Sequence, residues 1–312
     1  MRPMKILLAD EMGFCFGVRR AIEMVEQMAD EGRSVRMFGD VVHNPQVVDR
    51  LEDKGVSVIK ELHQATSDGV MVITAHGAAP WVADTVRAAG TEVVDTTCPL
   101  VEKPQQIARD LAHDGYTVVV YGDKNHPEVR GILGWAGEGA IAAKKIEDLP
   151  WHIRRDADGA WAEKPPRKVG IVTQTTSEMD EVIAFANAVT ALALPLGGEV
   201  RLVNTICKPT TDRQLAMRTL AREANAIIVI GGRKSANTKH LAEIGNHLGT
   251  PSYQVERAEE IDPAWIEGKE IVGVTAGAST PDYVIGEVVD WLRARGGELL
   301  PRTENARPPR YA

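Results

Sequence analysis

A parallel α/β fold, built as three small pseudo-repeated domains around a central cavity, is the fold class the sequence predicts. Three observations predict it. Apolar, β-branched runs of strand length alternate with helix-period segments along the chain, the pattern of parallel α/β units. The three cysteines, Cys15, Cys98 and Cys207, each close such a run. A glycine follows each of them 24 residues on (Gly39, Gly122, Gly231), and a small polar or imidazole side chain 28 residues on (His43, His126, Ser235). One position recurring three times marks an internal repeat.

The elements follow in order. The cysteine-closed strands are Lys5–Ala9, Glu92–Asp95 and Val200–Val203. In the first unit Val18, Ala21, Ile22, Val25 and Met28 then share one helical face. The second helix is expected to begin near or after Pro104, because an interior proline breaks a helix. In the third unit Pro209–Asp212 is a cap region leading into Leu215, Met217 and Leu220. Second strands end in glycine loops at Val35–Gly39, Val118–Gly122 and Ile227–Gly231. Third strands end in threonine-led loops at Val70–Thr74, Gly170–Thr173 and Ile271–Thr275. These patterns divide the chain into units 1–98, 99–203 and 204–292 and a tail 293–312. Residues 151–168 break the pattern as a surface excursion with a turn at Asp156–Gly159, and the proline- and arginine-rich tail from Gly296 is expected to lie over the surface or fray.

Composition narrows the function classes. The chain has 312 residues, 44% hydrophobic and 26% charged, which suits a globular protein with a sizeable core. A net charge of −8 without a basic run gives no support to nucleic-acid or anionic-membrane binding, so an anionic small molecule must be held by a local site. The apolar runs, such as Ala226–Ile230, are of strand rather than membrane-spanning length. The N-terminal MRPMKILLAD carries no signal-peptide apolar region. Three cysteines cannot make a disulfide framework and suit a reducing compartment, the cytoplasm.

A single cysteine is most often a small core residue. Three at one repeat position suggest three thiolates converging on one axis, and three without a fourth suggest a metal centre with an open site. Without a Cys-x-x-Cys pair, the spacing favours an iron–sulfur cluster over zinc or over three buried structural thiols. His43, His76 and His126 follow strands in loops at the same end as the cysteines. Imidazoles there suit a phosphate or diphosphate. The third repeat offers small donors instead, Ser235-Ala236-Asn237 and Ala278-Ser279-Thr280-Pro281-Asp282, where helix capping and anion binding at a helix start are compatible. Glu128, two residues beyond His126, can relay protons in a reductive step. Thr173-Gln174-Thr175-Thr176 adds hydroxyls for a substrate alcohol. No Walker loop and no dinucleotide-binding glycine pattern is present, so electrons must come from outside.

With these residues assembled, the chain resembles the 4-hydroxy-3-methylbut-2-enyl diphosphate reductase family from about Lys5 to about Leu292. The resemblance is carried by GFCFGVRRAI, DVVHN, AHG, DTTCPLV, HPEV, TQTT, ICKPTTDRQ, SAN and TAGASTPD, in the family's order. It implies a three-domain, trefoil-like fold around one [4Fe–4S] cluster, held by Cys15, Cys98 and Cys207 with one iron open. It implies diphosphate binding by His43, His76, His126, Ser235, Asn237 and Ser279, with the backbone at Ala236 contributing. Thr175 would contact the substrate hydroxyl and Glu128 would donate protons. The implied reaction is two-electron, proton-coupled loss of that hydroxyl as water from the allylic diphosphate, giving isopentenyl and dimethylallyl diphosphate. Electrons would come from an external donor of ferredoxin or flavodoxin type.

Two residues depart from the family pattern: Ala236 stands where many relatives have a second serine, and Phe16 where a small residue is common. A three-cysteine enzyme of the quinolinate synthase kind is a second reading, against which the His43, His76 and Ser279 set and TQTT argue. A non-enzymatic iron–sulfur sensor or carrier is a third, and it would need no ring of diphosphate donors.

Overall fold

The computed structural model describes residues 3–151 and 164–301. Strand β1 (Lys5–Leu8) opens the chain. Next come β2 (Val35–Phe38), β3 (Ser57–Ile59), β4 (Val70–Ile73) and β5 (Glu92–Asp95). The middle of the chain gives β6 (Thr117–Tyr121), β7 (Ile141–Ala143), β8 (Lys168–Thr173) and β9 (Glu199–Val203). The last strands are β10 (Ala226–Ile230), β11 (Ser252–Val255), β12 (Ile271–Ala276) and β13 (Glu298–Leu299). Between them run helices α1 (Phe16–Asp30), α2 (Pro45–Asp53), α3 (Pro80–Ala88), α4 (Pro99–His113) and α5 (Pro127–Ala136). Helices α6 (Met179–Ala193), α7 (Lys208–Glu223), α8 (Ala236–His247) and α9 (Asp282–Arg293) complete the set.

Every strand pairing among the described residues is parallel, in three sheets of order β3-β2-β4-β5, β7-β6-β8-β9 and β11-β10-β12-β1-β13. The repeat is therefore structural: β2/β4, β6/β8 and β10/β12 are equivalent central pairs. In the first two sheets the strand beside that pair, β5 or β9, leads to the next cysteine. The third sheet takes β1 for that place, with Lys5 opposite Ile271 and Leu8 opposite Val274. So β1 belongs structurally with residues 226–276, not with the rest of segment 1–98. The tail differs from expectation as well, since Glu298 and Leu299 pair with Lys5 and Ile6 as β13.

Two compact units result. One comprises Met1–Arg19, Val42–Leu51 and Lys208–Ala312, with the β1-containing sheet; the other, Arg20–Val41 and Glu52–Cys207, contains the two four-stranded sheets. The central strands β4, β6, β8, β10 and β12 are buried on both faces, as crossover helices require of parallel strands. Along β10, Ile228 and Ile230 join a core with Val284, Val288 and Leu292 of α9, while Ile227 and Val229 join another with Met217, Leu220 and Leu241 of α7 and α8. That alternation is the two-residue pleat. Each fully buried isoleucine contributes about 2 kcal/mol.

Two local expectations need correction. Helix α4 starts at Pro99, with Pro104 inside it. Val101, Pro104, Ala108 and Leu111 form one buried face, and this packing outweighs the single helical hydrogen bond that Pro104 cannot make. The apolar run Met179–Leu196 reaches 18 residues with mean hydropathy 1.4, long enough by composition to cross a membrane. Its Val182, Phe185, Val189 and Leu192 instead pack into the core on Val169 and Ile171 of β8. The turn at Asp156–Gly159 and the ARPPRYA end lie outside the described residues.

Candidate active site

Each cysteine immediately precedes a helix: Cys15 before α1, Cys98 before α4 and Cys207 before α7. None of the three is in a disulfide among the described residues, and Cys98 is buried while the other two are half-buried. The N–H groups and dipole of a helix start favour negative charge there.

In the unit of residues 20–41 and 52–207, β4 runs into Thr74-Ala75-His76-Gly77. Gly77 takes φ 71°, and a side chain there would strike Gln105 and Thr97. This tight corner presents His76, whose Nδ1 lies 3.4 Å from Thr74 Oγ1. The Cys98 loop is tied to the same corner by Cys98 N–H donating to Ala75 O at 3.1 Å. After β6 the chain reaches His126, the N-cap of α5, whose Nδ1 accepts from Glu128 N–H at 3.2 Å. That bond assigns the ring proton of neutral His126 to Nε2. The rings of His76 and His126 meet edge to face with centroids 5.4 Å apart.

Glu128 is 2% exposed. Its Oε1 accepts from Thr175 N–H at 2.6 Å and its Oε2 from Thr175 Oγ1–H at 2.9 Å. Burial raises its pKa to about 7, and the two Thr175 bonds only partly oppose this. The Cys207 loop joins the same cluster, with Cys207 N–H donating to Thr175 O at 3.1 Å. Thr205 Oγ1 donates to Thr173 O at 2.6 Å and accepts Thr173 N–H at 2.8 Å, fastening that loop to the end of β8. The structure thus brings Cys98, Cys207, His76, His126, Glu128 and Thr175 into one connected set of loops.

In the other unit Cys15 N–H donates to Ala278 O at 3.1 Å, joining the first cysteine to the loop of Ser279. Ser279 is 6% exposed, and its Oγ donates to His43 O at 3.4 Å. His43 precedes Asn44, whose Oδ1 accepts from Val47 N–H at 3.3 Å at the start of α2. Ser235 is the N-cap of α8 and accepts from Thr238 N–H at 3.3 Å. The loops close tightly: a Cβ on Gly232 would lie 2.3 Å from His43 O, and one on Gly277 would lie 2.0 Å from Thr238 Oγ1. Asn237, 4% exposed, has both Nδ2 and Oδ1 buried with no partner among the described residues. Leaving a buried amide unpaired costs roughly 1–3 kcal/mol. Such a group fits an anion site awaiting its ligand. Ala236 is half-buried beside it.

Sequence reasoning passed over two arginines. Arg213 of α7 donates to Gly13 O at 2.6 Å, two residues before Cys15. Arg20 of α1 donates to Thr97 O at 3.2 Å, one residue before Cys98. Both lie inside the motifs given above, but nothing in the sequence marks a helical arginine as turned toward a loop carbonyl.

Three parallel sheets with helices between their strands, and cysteine, histidine and carboxylate loops at helix starts, define the class as α/β. The family model described as LytB protein matches residues 6–293. The 4-hydroxy-3-methylbut-2-enyl diphosphate reductase of Geobacter sulfurreducens is 43% identical over 290 residues, 93% of this chain and 97% of that protein. That of Anaeromyxobacter sp. (strain K) is 40% identical, covering 93% of this chain and 99% of its own length. A solved structure of (E)-4-hydroxy-3-methyl-but-2-enyl diphosphate reductase, the terminal enzyme of the non-mevalonate pathway, superposes with TM-score 0.65 at 34% identity, covering 93% of this chain and 99% of that one. The Plasmodium falciparum reductase structure gives TM-score 0.85 at 25% identity, covering 99% and 95%. The chain belongs to the LytB family of 4-hydroxy-3-methylbut-2-enyl diphosphate reductases.

Proposed function

We propose that this chain reduces (E)-4-hydroxy-3-methylbut-2-enyl diphosphate to isopentenyl and dimethylallyl diphosphate, with Cys15, Cys98 and Cys207 holding one [4Fe–4S] cluster. The observation that carries the residue assignment is the buried Glu128–Thr175 pair, tied through Thr175 O to the Cys207 loop. Three thiols at equivalent helix starts suit a three-cysteine cluster, which supplies electron transfer and an open iron for the substrate hydroxyl.

The protein's part follows from its own atoms. Asn237, Ser235 and Ser279, with the N–H groups at the start of α8, bind the diphosphate, and the backbone at Ala236 adds a donor. His126 offers Nε2–H because its Nδ1 is occupied, and His43 and His76 add imidazoles to the same anion. Glu128 holds a proton near pH 7 because burial opposes its charge. With Oε1 taken by Thr175 N–H, that proton sits on Oε2 and donates to Thr175 Oγ1. The Thr175 hydroxyl then turns its own proton to the substrate oxygen, which leaves as water. Two electrons and two protons balance the exchange of C–OH for C–H. The electrons come from a ferredoxin- or flavodoxin-type donor. We retain 1–98, 99–203 and 204–292 as the functional repeats and cytoplasm as the location, where thiols stay reduced.

Iron and acid-labile sulfide, measured on protein prepared without oxygen, are expected at about four each per chain. Dithionite-driven turnover of the hydroxymethylbutenyl diphosphate should accompany them. Replacing any one cysteine by serine should remove the cluster, and a Cys98→Ser protein with full iron overturns the ligand assignment.

A further inference from the structure

We infer that Arg213 is a counter-cation and positioning residue for the three-cysteine centre, assisted by Arg20. The inference rests on the cysteine assignment above but starts from a buried charge that forms no ion pair among the described residues. Arg213 is 4% exposed. Its Nη1 donates to Pro209 O at 2.8 Å and its Nη2 to Gly13 O at 2.6 Å, while Nε is buried without a partner. Both partners are neutral carbonyls, and among the described residues Arg213 forms no ion pair.

A buried guanidinium normally faces a carboxylate, because an unpaired buried charge is strongly destabilising. Among the described residues Arg213 has the carbonyls of Gly13 and Pro209 in that place. The carbonyl it grips belongs to the Cys15 loop, and Pro209 lies in the first turn of the helix after Cys207. Arg20 repeats the arrangement more openly: half-buried, it donates to Thr97 O at 3.2 Å beside Cys98 and forms no ion pair among the described residues.

Three thiolates around a [4Fe–4S] core make a negative assembly, and each added electron makes it more so. Arg213 supplies the opposing charge and, through Gly13, fixes the Cys15 loop before the cluster is built. The charge eases reduction, and the hydrogen-bond fork retains the cluster.

The test is an anaerobic potentiometric titration of the holoenzyme followed by electron paramagnetic resonance, with iron counted and its release to a ferrous chelator timed. Arg213→Met should move the midpoint potential to more negative values and speed iron release roughly tenfold. Arg213→Lys should keep the midpoint near that of the parent while still releasing iron faster. Should Arg213→Met fail to fold, Arg213→Lys and Arg20→Met decide by iron release, which parent-like rates in both would settle against the proposal. A folded Arg213→Met protein with parent iron content and an unchanged midpoint overturns it, even if the metal-free protein melts lower. A parent protein that binds no iron removes the cysteine assignment itself, and the inference with it.

Discussion

The two compact units carry different sets of polar side chains. The unit of residues 20–41 and 52–207 presents His76, His126 and the buried Glu128, whose pKa burial raises to about 7. The unit with the β1-containing sheet offers the proposed diphosphate donors Ser235, Asn237, Ser279 and the N–H groups at the start of α8, together with His43; its further described imidazoles, His240 and His247, lie along α8. On the proposal above, proton supply rests on the first unit, whereas anion binding draws on the second and on His76 and His126 of the first. pH should act mostly through the first unit, and affinity should be tuned mostly through the second.

The sharpest way to break that contrast is Glu128→Gln. Turnover should fall by at least about 100-fold, the usual weight of a general acid, while iron content stays at the parent level. A variant with normal turnover would remove Glu128 from proton delivery. Parent kcat should decline as pH rises through about 7, where Glu128 loses its proton. The stability sign agrees. A carboxyl raised from 4.5 to about 7 contributes stability that is fully present below 4.5 and lost as pH rises through 7. The loss amounts to about 3 kcal/mol at most. Melting curves of Glu128→Gln across that window should be flatter than those of the parent.

In the second unit Asn237→Leu should weaken inorganic diphosphate binding roughly tenfold, as expected for lost hydrogen bonds to a charged ligand. The same change removes an unpaired buried amide, so the ligand-free protein should melt no lower than the parent. Calorimetry reads both, and neither effect should shift the pH profile of kcat. Ala236→Ser is the smallest test: one added hydroxyl should tighten diphosphate binding by about threefold.

Much of this was legible in the sequence. Strands such as Ala226–Ile230 announce themselves because burial on both faces demands an unbroken apolar run. The cysteine, histidine and Glu128 positions were readable from their place after strands, where parallel sheets put their loops. The exchange of β1 was not readable, since its four residues carry no mark of which sheet will accept them. Pro104 misled because a local rule gave way to a packed helix face. Arg20 and Arg213 were invisible as site residues because a helical arginine ordinarily faces water, and only their carbonyl partners reveal otherwise.

The placement of β1 sets an order of assembly. Lys5 leaves the ribosome early, yet its partner Ile271 is 266 positions further along. Contacts of such separation form late, whereas β2 through β9 find their neighbours within their own stretches of chain. The four-stranded sheets, with the Cys98 loop, can therefore condense while synthesis continues. Cys15 reaches its final place only after β12 has been made, so on the proposed assignment a cluster delivered too early would find two thiols rather than three. On that assignment iron incorporation would be timed by topology, with the N-terminal strand as the clasp that closes last.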